Sequence, residues 1–170
     1  MGKSETYPLD AIDTRLLQEL QADAKISLKA VGERVGLSAP AVMERLRKME
    51  QAGVILGYHA QVDARKVGLD VAAFIGVSIG DPSHLRAFEE YVDNEARILE
   101  CHHVTGGHTL LLKVRAMNTA ALETLISTIR ALDGVDGTET MVILSTRTER
   151  IPLPLEVPDE EPRRRRRKKS

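Results

Sequence analysis

The chain has 170 residues, 42% of them apolar, enough for one sizeable core or two small ones. No apolar run approaches the roughly 18 residues that span a bilayer, and the start, MGKSETYPLD, lacks the apolar centre of a secretory signal, so a cytoplasmic protein with no membrane partner is expected. The net charge of −1 is uneven: residues 1–60 balance eight basic against eight acidic side chains, residues 61–155 nine against thirteen, and residues 156–170 seven against four.

Leu9, Ile12, Leu16, Leu17 and Leu20 recur at helical spacing and predict a first helix, with Asp10 and Asp13 favourable at its positive end. Ser27 caps a second, short helix whose stripe is Leu28, Val31 and Val35; it stops at Gly36, a residue suited to a left-handed cap. Ser38 is the next N-cap, and Val42, Leu46 and Met49 stripe a third helix ending near Ala52 and Gly53. Three helices with a tight glycine-containing turn before the last predict a helix-turn-helix over residues 9–57, with the motif at about 28–47 and an N-terminal tail at 1–8. Beyond it, VILGYHAQVDA reads as a short hairpin, which would make a winged variant, or as a strand leading into a linker over 58–70.

From Val71 the period changes. VAAFIGVSIG, ARILECHHVTG, HTLLLKVRA and TETMVILST read as strands, and PSHLRAFEEYVDN and NTAALETLISTIRAL as helices. The order β-α-β-β-α-β over 71–150 is the ferredoxin-like pattern, an antiparallel sheet with two helices on one face, so the fold class is α+β. The other face needs a cover, for which another subunit is the natural choice. The end, residues 151–170, holds four prolines and then seven consecutive basic residues, Arg163 to Lys169, and is expected to be a disordered tail.

With Val42 at the centre of the third helix's buried side, steps of about 100° turn Pro40, Glu44, Arg47 and Lys48 outward, with Ala41 and Met43 on the flanks. These are the groove-facing candidates for double-stranded DNA. Arg47 suits guanine or a phosphate, Lys48 a phosphate and Glu44 cytosine, while Ser38 at the helix start can meet a phosphate oxygen. Arg45 lies near the buried edge and suits an ion pair, with Glu50 or another carboxylate, as well as it suits a phosphate. The basic run either adds DNA affinity without sequence preference or is simply solvated.

The single cysteine, Cys101, can form no internal disulfide and reads as a small buried apolar residue. Alternation puts Cys101 and His103 on one face of their strand and His102 on the other, so these residues do not converge on a metal. With no Trp and only Phe74, Phe88, Tyr7, Tyr58 and Tyr91, a stacking platform for single strands lacks material.

The motifs LDxIDxxLLxxLQ, GLS, ERxRxxExxGxIxGY and ECHxVTG, in this order from about Leu9 to Arg150, resemble the Lrp/AsnC family of leucine-responsive and asparagine-responsive transcriptional regulators. The resemblance implies a DNA-binding N-terminal half and a C-terminal half that assembles and senses small molecules. It also implies homodimers that build larger rings such as octamers, amino-acid effectors, no cofactor, no catalysis and a nucleoid-associated location. Thr105, Gly106, Gly107, His108 and Thr109 gather small and polar groups where backbone N–H groups can approach a ligand carboxylate, or where glycines merely serve a turn. The family usually carries an acidic residue at the position of Thr109; His108, or a partner-subunit acid such as Glu139, is the substitute considered for the ligand's ammonium group. Thr140 and Thr138 are weaker candidates for lining the same pocket. Siroheme decarboxylases resemble the same two-part architecture and form the enzyme alternative, with His102, His103 and His108 as the residues to test.

Overall fold

The computed structural model describes residues 7–158. They form two compact units, residues 7–60 together with 149–158, and residues 61–148.

In the first unit, α1 (Ala11–Ala22), α2 (Leu28–Val35) and α3 (Ala39–Gln51) follow the predicted pattern. The start of α1 is a capping box: the Asp10 carboxylate accepts from the backbone N–H of Asp13, and the Asp13 carboxylate from that of Asp10. Ser27 caps α2 through the N–H of Ala30, and Gly36 ends it with φ 74°, a left-handed conformation that glycine adopts without a Cβ penalty. Leu16, Leu17, Val31, Val42, Leu46 and Met49 form the buried core. Gly32 lies so close to the turn that a Cβ there would sit 2.5 Å from the Leu37 carbonyl oxygen, which sets how tightly α2 and α3 meet.

The wing is a point of difference. No strand forms between α3 and the second unit; residues 54–63 carry no regular element, and a single 3-10 turn, Arg65–Val67, follows. A β-rich stretch becomes a strand only when a neighbouring ladder satisfies its backbone, and this stretch has none among the described residues.

The second unit runs β1 (Val71–Ile79), a 3-10 turn Pro82–His84, α4 (Leu85–Asn94), β2 (Ile98–His103), β3 (Leu110–Ala116), α5 (Thr119–Arg130) and β4 (Val135–Val142). The sheet is antiparallel in the order β2-β3-β1-β4, the expected ferredoxin-like topology. Ala73, Ile75, Val77, Leu110, Leu112 and Val114 point to one face, where Phe88 of α4 and Leu122, Leu125 and Ile129 of α5 close the core. The register sends Phe74, Gly76, Ser78, Leu111, Lys113, Glu139 and Met141 to the opposite face. β4 begins earlier than the sequence suggests and ends at Val142, because its ladder is set by pairing with β1; Ile143 adds a last backbone bond to Ala72.

Residues 151–158, expected to be part of a disordered tail, carry no regular element but are tied to α1 by hydrogen bonds at Leu153 and Leu155, and Leu155 packs against the core of the first unit. The basic run at 163–169 lies outside the described residues.

Candidate functional site

Two regions carry polar chemistry. The first is the outer face of α3. Val42 and Met49 are fully buried and Leu46 nearly so, which turns Glu44, Arg47 and Lys48 to solvent. The Arg47 and Lys48 side chains are 54% and 59% exposed, and Met43 is 56% exposed beside them. Pro40 is exposed in the first turn, where its missing N–H leaves no helical bond unmade, and Ala41 is half-buried on the flank. Ser38 is the N-cap by backbone geometry, yet its hydroxyl makes no capping bond and stands at the exposed helix start. The predicted DNA-facing residues are therefore grouped on one edge.

Glu44 holds both cations. Its carboxylate accepts from Arg47 Nη2 at 3.1 Å and Nε at 3.2 Å, and lies 3.7 Å from Lys48 Nζ. The Arg47 fork keeps the Glu44 carboxyl below the usual carboxylate range, and Glu44 in turn raises the guanidinium. Arg45 behaves differently. Its Nη1 bonds to Asp13 at 2.6 Å and to Asp10 at 2.7 Å, and these bonds, Asp13's first, raise its pKa. The open choice at Arg45 resolves to an ion pair across α1 and α3, with Asp10 and Asp13 as partners. Glu50 is engaged elsewhere, accepting from the Tyr58 hydroxyl at 2.9 Å.

The second region is the turn between β2 and β3. Thr105, Gly106 and Gly107 are exposed, and Gly106 adopts φ 118°, which explains a glycine there on backbone grounds. His108 folds onto the sheet over Gly76: any side chain at Gly76 would collide with the imidazole. Its Nε2 lies 2.9 Å from Glu139 and its Nδ1 3.2 Å from the Ser78 hydroxyl. The Glu139 beside His108 thus belongs to the same chain. The Thr109 hydroxyl accepts from the Ile79 N–H at 3.0 Å and donates to the Ile79 carbonyl at 3.4 Å, so its proton is already committed to the end of β1.

Thr140 does not join this group. It pairs with Ile75, whose side chain faces the helices, and its buried hydroxyl finds no partner among the described residues. Thr138 lies on the same helix-side face, where its hydroxyl accepts from Arg130 Nε at 2.7 Å. Gly76 and Ser78 are the site residues that sequence reasoning missed; the available signal was an isolated glycine inside the strand pattern VAAFIGVSIG, which marks a close approach.

The three histidines do not converge. His102 projects opposite to Cys101 and His103, and His103 bonds to Glu89 at 2.9 Å. Cys101 packs half-buried on the core, and burial pushes its thiol pKa up. No helix among the described residues is long and apolar enough to cross a membrane.

Comparison with known proteins agrees with this layout. Residues 9–50 match the AsnC-type helix-turn-helix domain and residues 72–153 the Lrp/AsnC ligand binding domain. The chain is 32% identical over 151 residues to the HTH-type transcriptional regulator FL11 of Pyrococcus horikoshii, covering 87% of this chain and 97% of that protein. It is 37% identical over 139 residues to the leucine-responsive regulatory protein of Rhizobium meliloti, covering 80% and 89%. Among solved structures, a transcriptional regulator of Neisseria meningitidis complexed with L-methionine aligns with a TM-score of 0.82 at 28% identity, covering 86% of this chain and 97% of that one. The feast or famine regulatory protein of Mycobacterium tuberculosis, also complexed with L-methionine, aligns at 0.77 and 33% identity, covering 89% and 100%. These relatives are named as regulators, and the decarboxylase alternative falls away. The chain belongs to the Lrp/AsnC family of transcriptional regulators, DNA-binding proteins rather than enzymes.

Proposed function

We propose that this regulator reads specific double-stranded DNA through the outer edge of α3, as a homodimer or a larger ring such as an octamer, and that an amino acid alters its assembly or DNA affinity. The observation that carries the reading is the exposed edge formed by Ser38, Pro40, Met43, Glu44, Arg47 and Lys48, flanked by Ala41, on a helix whose other side is fully packed. Such a helix can enter a major groove, with Arg47 at guanine or phosphate and Lys48 at phosphate.

The ligand reading rests on the turn Thr105, Gly106, Gly107 and on His108 with Glu139. The glycines offer backbone N–H groups to a carboxylate, and Glu139 offers an anionic acceptor to an ammonium group. L-methionine, held by two structural relatives, is the first ligand to try. A protein of this kind works in the cytoplasm, on the nucleoid.

Binding of labelled promoter DNA at several salt concentrations tests the reading. Arg47→Ala is expected to weaken a specific site by about 1–3 kcal/mol and relax its sequence preference if it reads a base. Lys48→Ala is expected to weaken all sequences evenly and to lower the salt slope by about 1. If neither variant changes affinity, α3 is not the reading helix.

A further inference from the structure

α1 also carries two glutamines, the exposed Gln18 and the half-buried Gln21, at the margin of the helix-turn-helix core. Gln21 reads both polar groups of Leu153: its Nε2 donates to the Leu153 carbonyl at 3.3 Å, and its Oε1 accepts from the Leu153 N–H at 2.6 Å. Gln18, three residues earlier and on the same side of the helix, donates from Nε2 to the Leu155 carbonyl at 2.8 Å. The Leu155 side chain packs with the cluster that includes Leu16 and Leu17. Two amides thus clasp an irregular segment, and a leucine two residues on anchors it.

The sequence of the segment suits this. Pro152, Pro154 and Pro158 lack N–H groups, which leaves Leu153 as the donor between two prolines, the one Gln21 satisfies. Ile151, Leu153 and Val157 each precede a proline and are steered to extended backbone before they dock. A segment held extended in advance loses little entropy on binding, as polyproline-type ligands do. The same prolines that argue against a folded element therefore favour a docked one.

We propose that Gln18 and Gln21 of α1 form a docking site for the chain's own Leu153-Pro154-Leu155 segment, a clip that fastens residues 151–158 to α1 within the first unit. The clip fixes the root of the basic run: Arg163 follows Leu155 by eight residues, a reach of at most about 28 Å. A run tethered this short distance from the first unit meets DNA held there at a raised effective concentration. This consequence rests on the DNA reading above; the clip itself does not.

Hydrogen exchange on the full chain tests the clip directly. The Leu153 amide is expected to exchange at least tenfold more slowly than in the free peptide, and Gln21→Ala or Gln18→Ala/Gln21→Ala is expected to abolish that protection. Both positions are on the helix surface and alanine is a good helix former, so the fold is retained. Salt-dependent DNA binding tests the consequence. Deleting residues 159–170 is expected to flatten the log-log salt slope clearly in the parent chain and much less in Gln18→Ala/Gln21→Ala. Unprotected Leu153 in the parent, or protection indifferent to both glutamines, overturns the clip. An equal effect of the deletion in both backgrounds overturns its role in seating the basic run. If the chain binds no DNA at all, the exchange result still decides the clip, and only the reading of α3 fails.

Discussion

In the free protein one carboxylate, Glu44, engages both outward cations of α3. On the proposed reading, phosphate competes with Glu44 for Arg47, and the pair tunes how readily the helix sticks to DNA of any sequence. Glu44→Gln keeps the size and removes the charge. It is expected to tighten binding to unrelated DNA by about threefold at low salt, with the gain shrinking as salt rises, which filter binding or anisotropy measures. A second residue-scale case lies in the other unit. Glu95, at the turn after α4, bonds twice to the Arg97 guanidinium at 2.6 and 2.8 Å and accepts from the Arg97 N–H. The Arg97 fork lowers its carboxyl from 4.5 to about 2. A group lowered in the folded state contributes stability above its unfolded pKa and loses it as pH falls. The contribution, on the order of 1–2 kcal/mol after solvent screening, is present above pH 4.5 and drains between pH 4.5 and about 2. Denaturant unfolding across that window is expected to fall less steeply with acid for Glu95→Gln than for the parent.

At the scale of elements, the turn between α2 and α3 depends on Gly32 as well as on the more obvious Gly36. Gly36 is needed for its positive φ, whereas Gly32 is needed for room, since a methyl there meets the Leu37 carbonyl at 2.5 Å and the Val42 side chain at 3.4 Å. Gly32→Ala is expected to lower stability by about 1–3 kcal/mol despite alanine's better helix propensity, read as a fall in Tm together with loss of DNA binding. Periodicity and caps made the three helices legible, since Asp10, Ser27 and Gly36 act within a few residues of themselves. Pairing is not local, and there the sequence misleads. The stretch from 143 to 146, rich in β-formers, lies outside β4, while Asp136 and Gly137, poor β-formers, lie inside it because Ser78 and Ile79 pair with that part of the strand. The turn between β2 and β3 shows the same limit. Thr105, Gly106 and Gly107 are readable as a turn, but the place of His108 depends on Gly76 and Glu139 in two other strands, and nothing near His108 in the chain announces them.

At the scale of the whole molecule, the proposed dimer needs a face through which two copies join, and the sheet face away from the helices offers one. It carries Leu111 and Met141, the latter 46% exposed, beside Phe74, Lys113 and the hydrogen-bonded His108 and Glu139. A mixed apolar and charged sheet face of this kind fits a second copy of itself across a two-fold axis, where each charge can meet its counterpart. On this proposal, two α3 helices joined through such a pairing bind successive grooves as one ligand, and the second contact forms at about a millimolar effective concentration rather than from free solution. Leu111→Glu with Met141→Glu places acids on that face, where pairing would bring them together, while leaving the helix-side core untouched. The double variant is expected to sediment as a monomer with unchanged circular dichroism, and to bind a two-half-site DNA about 100-fold more weakly while holding a single half-site as the parent does. Should the variant remain a dimer, or keep full affinity as a monomer, pairing through this face is not what joins the two readers.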